Sequence, residues 1–183
     1  MKQILIVLLI SSFGAICNCQ QNQNFDRFLY GFNILEYPIE TNEVFMNLEL
    51  EMKTKHISES DYNKFLRNYS DHEWVFDDLH SYKYGGKFDV NSNIIAVLYR
   101  QDYMPDDVNK QIGEVVLSTF NHKGQRIADI PIAGGYGDSV TFSSIIDNSN
   151  RIEVKYIKYT QDSIIKESKI VKIQDNGKVL ELD

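Results

Sequence analysis

From Tyr82 to the end, the sequence is a series of short runs in which apolar and polar residues alternate, separated by turn residues. Alternation with a period of two is typical of strands that bury one face. The runs lie at about 82–90, 93–102, 112–120, 126–132, 139–146, 151–159, 163–173 and 178–182. Because a parallel crossover needs about a dozen residues or more and these connections span two to nine, parallel pairing is excluded for most neighbouring runs and an antiparallel meander is expected.

Three of the connections have the residues of known hairpin turns. Asn176-Gly177 predicts a two-residue hairpin in which both residues adopt positive φ. The segment 121–124, which ends in Gly124, predicts a bulged hairpin, and the polar segment 147–150 predicts a turn. These reversals support the antiparallel series.

Two short helices and one more strand are predicted before Tyr82. The first helix has apolar residues at positions i, i+3, i+4 and i+7, namely Phe25, Phe28, Leu29 and Phe32. The second begins at Ser58, whose hydroxyl can cap the helix with Asp61 three residues later, and its buried stripe comprises Tyr62, Phe65, Leu66 and Tyr69. Between them, alternation from Val44 to Met52 predicts a strand.

The predicted fold is therefore α+β and mainly β. We expect an antiparallel meander of about eight or nine strands, strongly curved, with the two N-terminal helices on one side. A two-layer β-sandwich is the alternative. Most aromatic residues should lie in the core or in cross-strand pairs, as for Tyr82 and Tyr84 or for Phe142 and Tyr156.

The first nineteen residues resemble a secretory signal peptide, with Lys2 before an apolar run from Ile4 to Ile10 and small residues up to Ala15. Residues 20–183 are then expected to form one β-rich domain. The apolar run is shorter than the roughly 20 residues that a transmembrane helix needs, and no later run is longer, so no transmembrane segment is predicted.

Two routes of processing follow from the cysteines. Cleavage after Cys19 would leave Gln20 at the N-terminus, whereas a lipid anchor would use Cys17 or Cys19. Either route predicts an exported protein that is periplasmic, associated with the outer membrane, or secreted. Because both cysteines of the chain lie here, the domain that follows has no disulfide, thiol nucleophile or cysteine-ligated zinc.

The net charge of −7 has the wrong sign for a protein that binds nucleic acid. The excess lies in residues 20–80, which contain 12 acidic and 5 basic residues. This charge favours either a solvated acidic face or a docking surface for a basic partner.

The acidic segment from Asp71 to His80 contains the candidate site residues. Its candidate binding residues are Asp71, Glu73, Trp74, Asp77 and Asp78, and its candidate metal ligands are His72 and His80. Their spacing matches no established metal motif, so no metal site is assigned and no cofactor is expected.

No catalytic residue is predicted. Residues 134–139 lack the order of a phosphate-binding loop and indicate a turn between strands. Asp102, Asp106 and Asp107 flank one loop, but aspartates in such loops are common without a catalytic role. The chain has no Gly-x-Ser-x-Gly elbow.

Several stretches together resemble a loose group of small exported or lipid-anchored β-rich envelope proteins of Gram-negative bacteria. They are Phe25–Leu29, Leu35–Ile39, Ile57–Leu66, Ile95–Tyr99 and Leu117–Ile132. The resemblance implies an envelope location and no functional residues.

Three functions are compatible with these features. The first is a non-enzymatic envelope or secreted protein that binds another protein or a ligand, with an immunity-type inhibitor of a toxin as a special case. The second is a carrier of a small apolar ligand, and the third is a carboxylate- or metal-dependent hydrolase.

Overall fold

The computed structural model describes residues 23–41, 55–67 and 74–182. Helix α1 spans residues 23–29, and the second helical segment, α2, consists of an α-helical turn at Glu59–Asp61 and a π-helical turn at Tyr62–Leu66. A 3₁₀ turn lies at Val108–Lys110. The strands are β1 (Asn33–Ile34), β2 (Ile39–Glu40), β3 (His80–Asn91), β4 (Ile94–Tyr103), β5 (Ile112–Asn121), β6 (Arg126–Tyr136), β7 (Val140–Ile146), β8 (Arg151–Tyr159), β9 (Ile164–Ile173) and β10 (Val179–Leu182).

These strands form one sheet, in which β3 to β10 follow one another in chain order. Every neighbouring pair from β3 to β10 is antiparallel, so the mainly β class, the antiparallel series and the two short helices are confirmed. Two short strands depart from this order: β1 pairs parallel with β3, and β2 pairs with β7. The predicted strand 44–52, Tyr69 and the cysteine-containing segment lie outside the described residues.

Three hairpins close with the same turn. In each, the amide of the fourth turn residue donates to the first carbonyl, as Gly124 N does to Asn121 O at 2.9 Å and Gly177 N does to Gln174 O at 2.8 Å. The fourth residue has positive φ, with 74° at Gly124, 61° at Asn150 and 84° at Gly177. The bulged hairpin at 121–124 is thus confirmed. The expectation of positive φ at Asn176 is wrong, because the longer turn needs that conformation only at Gly177.

Apolar side chains cover both faces of the central strands β4 and β5. One cluster joins Ala96, Leu98 and Leu117 to side chains of β7, β8 and β9. The other joins Val97, Tyr99 and further side chains of β3 to β5 to both helices and Trp74. The predicted pair of Phe142 and Tyr156 is confirmed, since the two lie directly opposite each other with ring centroids 5.4 Å apart. Tyr82 and Tyr84 both belong to β3 and are therefore not a cross-strand pair, but Tyr82 lies in the second cluster and Tyr84 packs against it.

Segment α2 is fixed at both ends by side chains. Ser58 Oγ accepts a hydrogen bond from Asp61 N at 3.1 Å, which is the predicted cap. At the other end, the Arg126 guanidinium donates to Leu66 O at 2.6 Å and to Arg67 O at 2.7 Å. The arginine thus binds carbonyl groups that the end of a helix leaves without intrahelical partners.

Strands β6 and β7 pair only at their near ends, over the register from Gly134↔Phe142 to Tyr136↔Val140. Further along β7, β2 pairs with Ile145 and Ile146. Thr41 continues this contact, because its hydroxyl accepts from Ser144 N at 2.8 Å and donates to Ser144 O at 3.0 Å. Strand β2 and Thr41 therefore provide hydrogen-bond partners for the part of the β7 edge that β6 does not pair with.

Within the described ranges, no helix combines the length and the apolar character that crossing a bilayer requires.

Candidate binding surface

The predicted binding segment is described only from Trp74 onward; Asp71, His72 and Glu73 lie outside the described residues. Trp74 is 3% exposed, and its indole packs edge-on against the rings of Tyr82 and His80. Tyr62 Oη also donates to Trp74 O at 3.0 Å. These contacts place Trp74 in the core, where it is not presented to a partner. Asp78, by contrast, is exposed.

Asp77 and His80 close a turn before β3. Asp77 Oδ1 lies 2.6 Å from His80 Nδ1 and accepts from the amides of Leu79 at 2.9 Å and His80 at 3.1 Å. The hydrogen bond with the His80 side chain is the largest of the effects that lower the pKa of Asp77 below its usual value. The carboxylate thus stabilises a local turn.

No three histidine, cysteine, aspartate or glutamate side chains come together as a potential metal site in the described ranges. The ring of His80 stacks on Tyr103 with centroids 4.8 Å apart. This stacking and the bond to Asp77 account for the position of the imidazole.

The buried carboxylates of β4 and β5 have protein partners. Asp102 accepts from Arg100 Nε at 2.7 Å and Ser81 Oγ at 3.2 Å, whereas Glu114 accepts from Gln101 and Tyr136. Asp102 lies opposite Gly113, the residue before Glu114. The two carboxylates therefore project from opposite faces and cannot divide acid and base roles on one substrate.

Asp106 and Asp107 lie in the connection between β4 and β5 and do not form a common site with Asp102. Asp107 Oδ1 accepts from Asn109 N at 3.2 Å, and the carboxylate forms an exposed ion pair with Lys110 at 3.3 Å. Asp106 is exposed. Asp102 of β4 and the two loop residues Asp106 and Asp107 therefore do not meet at one site.

The first half of the glycine-rich segment 134–139 belongs to a strand, because β6 continues to Tyr136, and the predicted turn is confined to 137–139. The expected end of this strand at 132 is therefore wrong. Gly134 has φ 144°, and a Cβ there would lie 2.0 Å from Gly113 O. Glycine allows β5 and β6 to approach closely here, so the strand continues through residues that usually signal a turn.

A continuous surface, which we call the outer face, is formed by alternate residues of β7 to β10. Direct cross-strand partners share a face, so the pairs Thr141↔Ile157, Tyr159↔Ile164 and Ile170↔Leu182 define it. Its members are Thr141, Ser143, Ile145, Arg151, Glu153, Lys155, Ile157, Tyr159, Ile164, Lys166, Ser168, Ile170, Lys172, Leu180 and Leu182.

The outer face exposes large apolar side chains. Ile164 is 62% exposed, Leu180 is 47%, Tyr159 is 45% and Leu182 is 42%. The register places Tyr159 beside Ile164 at one end of the face and Leu182 beside Ile170 at the other. The exposed apolar side chains therefore occur in two groups, and none of these four lies singly. Grouped exposed apolar residues with a polar border mark interaction sites in soluble proteins.

Four cations and one carboxylate belong to the outer face: Arg151, Lys155, Lys166, Lys172 and Glu153. Glu153 lies 3.7 Å from Lys155 in an exposed ion pair, which leaves three cations in excess. The face is therefore positive on a chain whose net charge is −7. Such a contrast favours partners of negative charge.

A cleft of about 390 Å³ lies where β6 and β7 separate. Its lining combines apolar side chains with two hydroxyls and one amine, and comprises Ala133, Gly134, Thr141, Phe142, Ser143, Lys155 and Ile157. The volume is within the range of small-molecule sites. The cleft is continuous with the outer face, because both share Thr141, Ser143, Lys155 and Ile157.

Comparisons with protein-family models, curated proteins and solved structures find no match to this chain.

The sequence reasoning missed the outer face because β8 and β9 carry apolar residues on both sides. Ile152 and Val154 are buried, whereas Ile157 and Tyr159 of the same strand lie on the outer face. Alternation alone does not say which face is covered. The sequence does indicate a second apolar face, because residues 164–173 have apolar side chains at both even and odd positions.

Proposed function

We propose that this chain is a non-enzymatic exported protein that binds another protein through the outer face of β7 to β10. The observation that carries this proposal is the presence of two groups of exposed apolar side chains, Tyr159 with Ile164 at one end of the outer face and Leu180 with Leu182 at the other, together with an excess of cations. Apolar area contributes affinity, and charge selects the partner and speeds its approach.

The acidic side chains form structural hydrogen bonds and ion pairs, which supports a role without catalysis. Among the described residues, Asp77 and Asp147 stabilise turns, Asp102 pairs with Arg100, and Glu114 binds Gln101 and Tyr136. Each of these carboxylates has a structural partner, and Asp102 and Glu114 are also buried, so these two lack the open approach that a general base needs.

The location and the finer architecture belong to the same proposal. The signal-like segment supports export, with cleavage before Gln20 or lipid attachment at Cys17 or Cys19.

The strong curvature of the sheet is proposed because one apolar cluster unites Leu98 and Leu117 with Val154 and Val171. The two-layer sandwich is the alternative description.

A second docking surface is proposed for residues 20–80, whose acidic excess suits a basic partner such as a secreted toxin. In that case the chain would act as an immunity-type inhibitor. Binding at this surface would weaken with salt and would be insensitive to changes in the outer face.

A second candidate function is the transport of a small, mainly apolar ligand in the cleft between β6 and β7. The cleft volume of about 390 Å³ favours it, and Lys155 would face an anionic group of the ligand. Thr141→Trp would fill part of the cleft, so a carrier should lose uptake of a fluorescent fatty acid in this variant. Unchanged uptake would exclude the cleft as the site.

The main proposal is tested by affinity capture from envelope extract with quantitative mass spectrometry. The Ile164→Glu/Leu180→Glu double variant should lose at least one protein that the wild type captures. Val108→Glu is the matched control, because Val108 is 54% exposed and belongs to the 3₁₀ turn, not to the strands of the outer face. Equal capture by all three proteins would contradict the proposal.

A further inference from the structure

Within the part of the chain that the structure describes, β9 has an unpaired edge beside the outer face. On the side away from β8, β10 pairs only with Ile170–Ile173. Among the described residues, no strand pairs with residues 164–169 on that side. A free strand edge presents unpaired N–H and C=O groups that can accept a strand from a partner.

The charged side chains along this edge differ in whether they form an ion pair. Glu167 is neutralised by Lys158, whose Nζ lies 2.6 Å from Glu167 Oε2. Lys169 lies 4.0 Å from Glu181 and above the ring of Tyr156. Lys166 forms no salt bridge with any described residue, so its ammonium group is open to an incoming carboxylate.

A second copy of the chain fits this edge poorly. In symmetric antiparallel pairing, a residue near the two-fold axis faces its own copy or a residue an even number of positions away. The registers centred on the free stretch therefore place Lys166 opposite Lys166, or Glu167 opposite Glu167. Like charges directly opposite each other destabilise a strand pair.

We infer that the partner contributes an acidic extended segment, which adds as a strand to the edge of β9 at residues 164–169 and places a carboxylate beside Lys166. This inference rests on the proposed function and specifies the chemistry of its partner. Apolar residues of the same segment would face Ile164 and Ile165, which are both exposed. Backbone hydrogen bonds would supply affinity, and the alternating charged and apolar positions would supply selectivity.

A bilayer with anionic lipids is also negative, but it would leave the strand edge unused. Lipid head groups would interact with Lys155, Lys166 and Lys172 without hydrogen bonding to the backbone at 164–169. Among the residues with described positions, an edge without a pairing strand lies beside exposed isoleucines and a lysine without a salt bridge, and this juxtaposition favours a peptide segment.

The test uses a synthetic peptide with the central sequence Glu-Thr-Lys-Glu-Val-Val, which in antiparallel register opposes residues 169 to 164. Its control peptide has glutamine in place of both glutamates. Backbone amide shifts of the full chain should change at 164–169, and the control peptide should bind about threefold more weakly. Lys166→Glu should weaken binding of the acidic peptide and strengthen binding of a peptide with lysine opposite position 166.

Absence of amide shifts at 164–169, or equal affinity for both peptides, would overturn the inference. Binding of phosphatidylglycerol vesicles by the wild type, reduced in Lys166→Glu without strand pairing, would assign the face to a bilayer and would also overturn it. If Ile164→Glu/Leu180→Glu still abolishes capture of a protein, the proposed function survives this failure. If that variant captures normally, the proposed function fails as well.

Discussion

Tyr37 Oη donates a hydrogen bond of 2.7 Å to Asn150 Oδ1, which joins the segment between β1 and β2 to the turn between β7 and β8. Asn150 has φ 61°, a conformation that glycine adopts most easily. Asparagine tolerates this conformation and adds the contact with Tyr37, as well as a longer one to Val90 O at 3.3 Å. The N-terminal strands are thereby held to a distant hairpin.

Tyr37→Phe should lower the free energy of unfolding by about 1 kcal/mol, because Asn150 loses a hydrogen-bond donor and the ring is otherwise retained. Urea unfolding at neutral pH measures this change. Tyr30→Phe is the control, because Tyr30 is 87% exposed, and it should have no measurable effect. Equal stability of the two variants would show that the bond between Tyr37 and Asn150 contributes nothing.

Arg126→Ala should destabilise the protein by about 2 to 3 kcal/mol, since it removes two charge-assisted hydrogen bonds to Leu66 O and Arg67 O. The loss should concentrate in α2, where amide hydrogen exchange should accelerate. Lys123→Ala, at an exposed position of the neighbouring turn, should leave exchange in α2 unchanged. Equal exchange in the two variants would argue against the anchoring role of Arg126.

Gly134→Ala should destabilise the protein by about 3 kcal/mol or more, because the new Cβ meets Gly113 O at 2.0 Å in a conformation that favours glycine. Gly135→Ala is the comparison, since its Cβ would lie 3.2 Å from Val140 O and its φ is not positive. Thermal unfolding should show a much lower midpoint for the first variant than for the second. Equal midpoints would contradict the close approach of β5 and β6.

Stability should fall as the pH rises above about 10. Burial raises the pKa of Tyr84 to about 12, and nearby Asp61 adds to the effect. Burial also raises the pKa values of Tyr82, Tyr99 and Tyr136. In the unfolded chain these phenols lose their protons near pH 10, whereas the folded state retains them, so stability is complete below that pH and decreases above it.

Tyr84→Phe should reduce this decline, because one of the groups with a raised pKa is removed. Urea unfolding between pH 7 and pH 11.5 measures the slope, with Tyr30→Phe as the control. A slope that is identical in the wild type and both variants would mean that Tyr84 titrates alike in the folded and unfolded states.

The strands from β3 to β10 could be predicted because each run alternates and each connection contains turn residues. The two-residue strands β1 and β2 could not be predicted, since Asn33–Ile34 and Ile39–Glu40 are too short to show a period. Their positions depend on tertiary contacts, such as the hydroxyl of Thr41 bonding to Ser144.

The candidate site was harder to predict than the strands. The sequence directed attention to the acids and aromatics of 71–80, but Trp74 packs into the core and Asp77 stabilises a turn. Composition does not distinguish a side chain that packs from one that is presented to a partner. The outer face depends on the register, which places Tyr159 beside Ile164 and, among the described residues, leaves 164–169 of β9 without a pairing strand on one side.

Site-specific photo-crosslinking in the producing cells tests the proposed outer face most directly. A benzoylphenylalanine would replace Ile164, or Phe76 in the acidic segment, or Val108 as a control; all three are exposed. We expect a discrete crosslinked protein from position 164 and none from 108. Crosslinks from position 76 with none from 164 would contradict our account and would assign partner binding to the acidic segment.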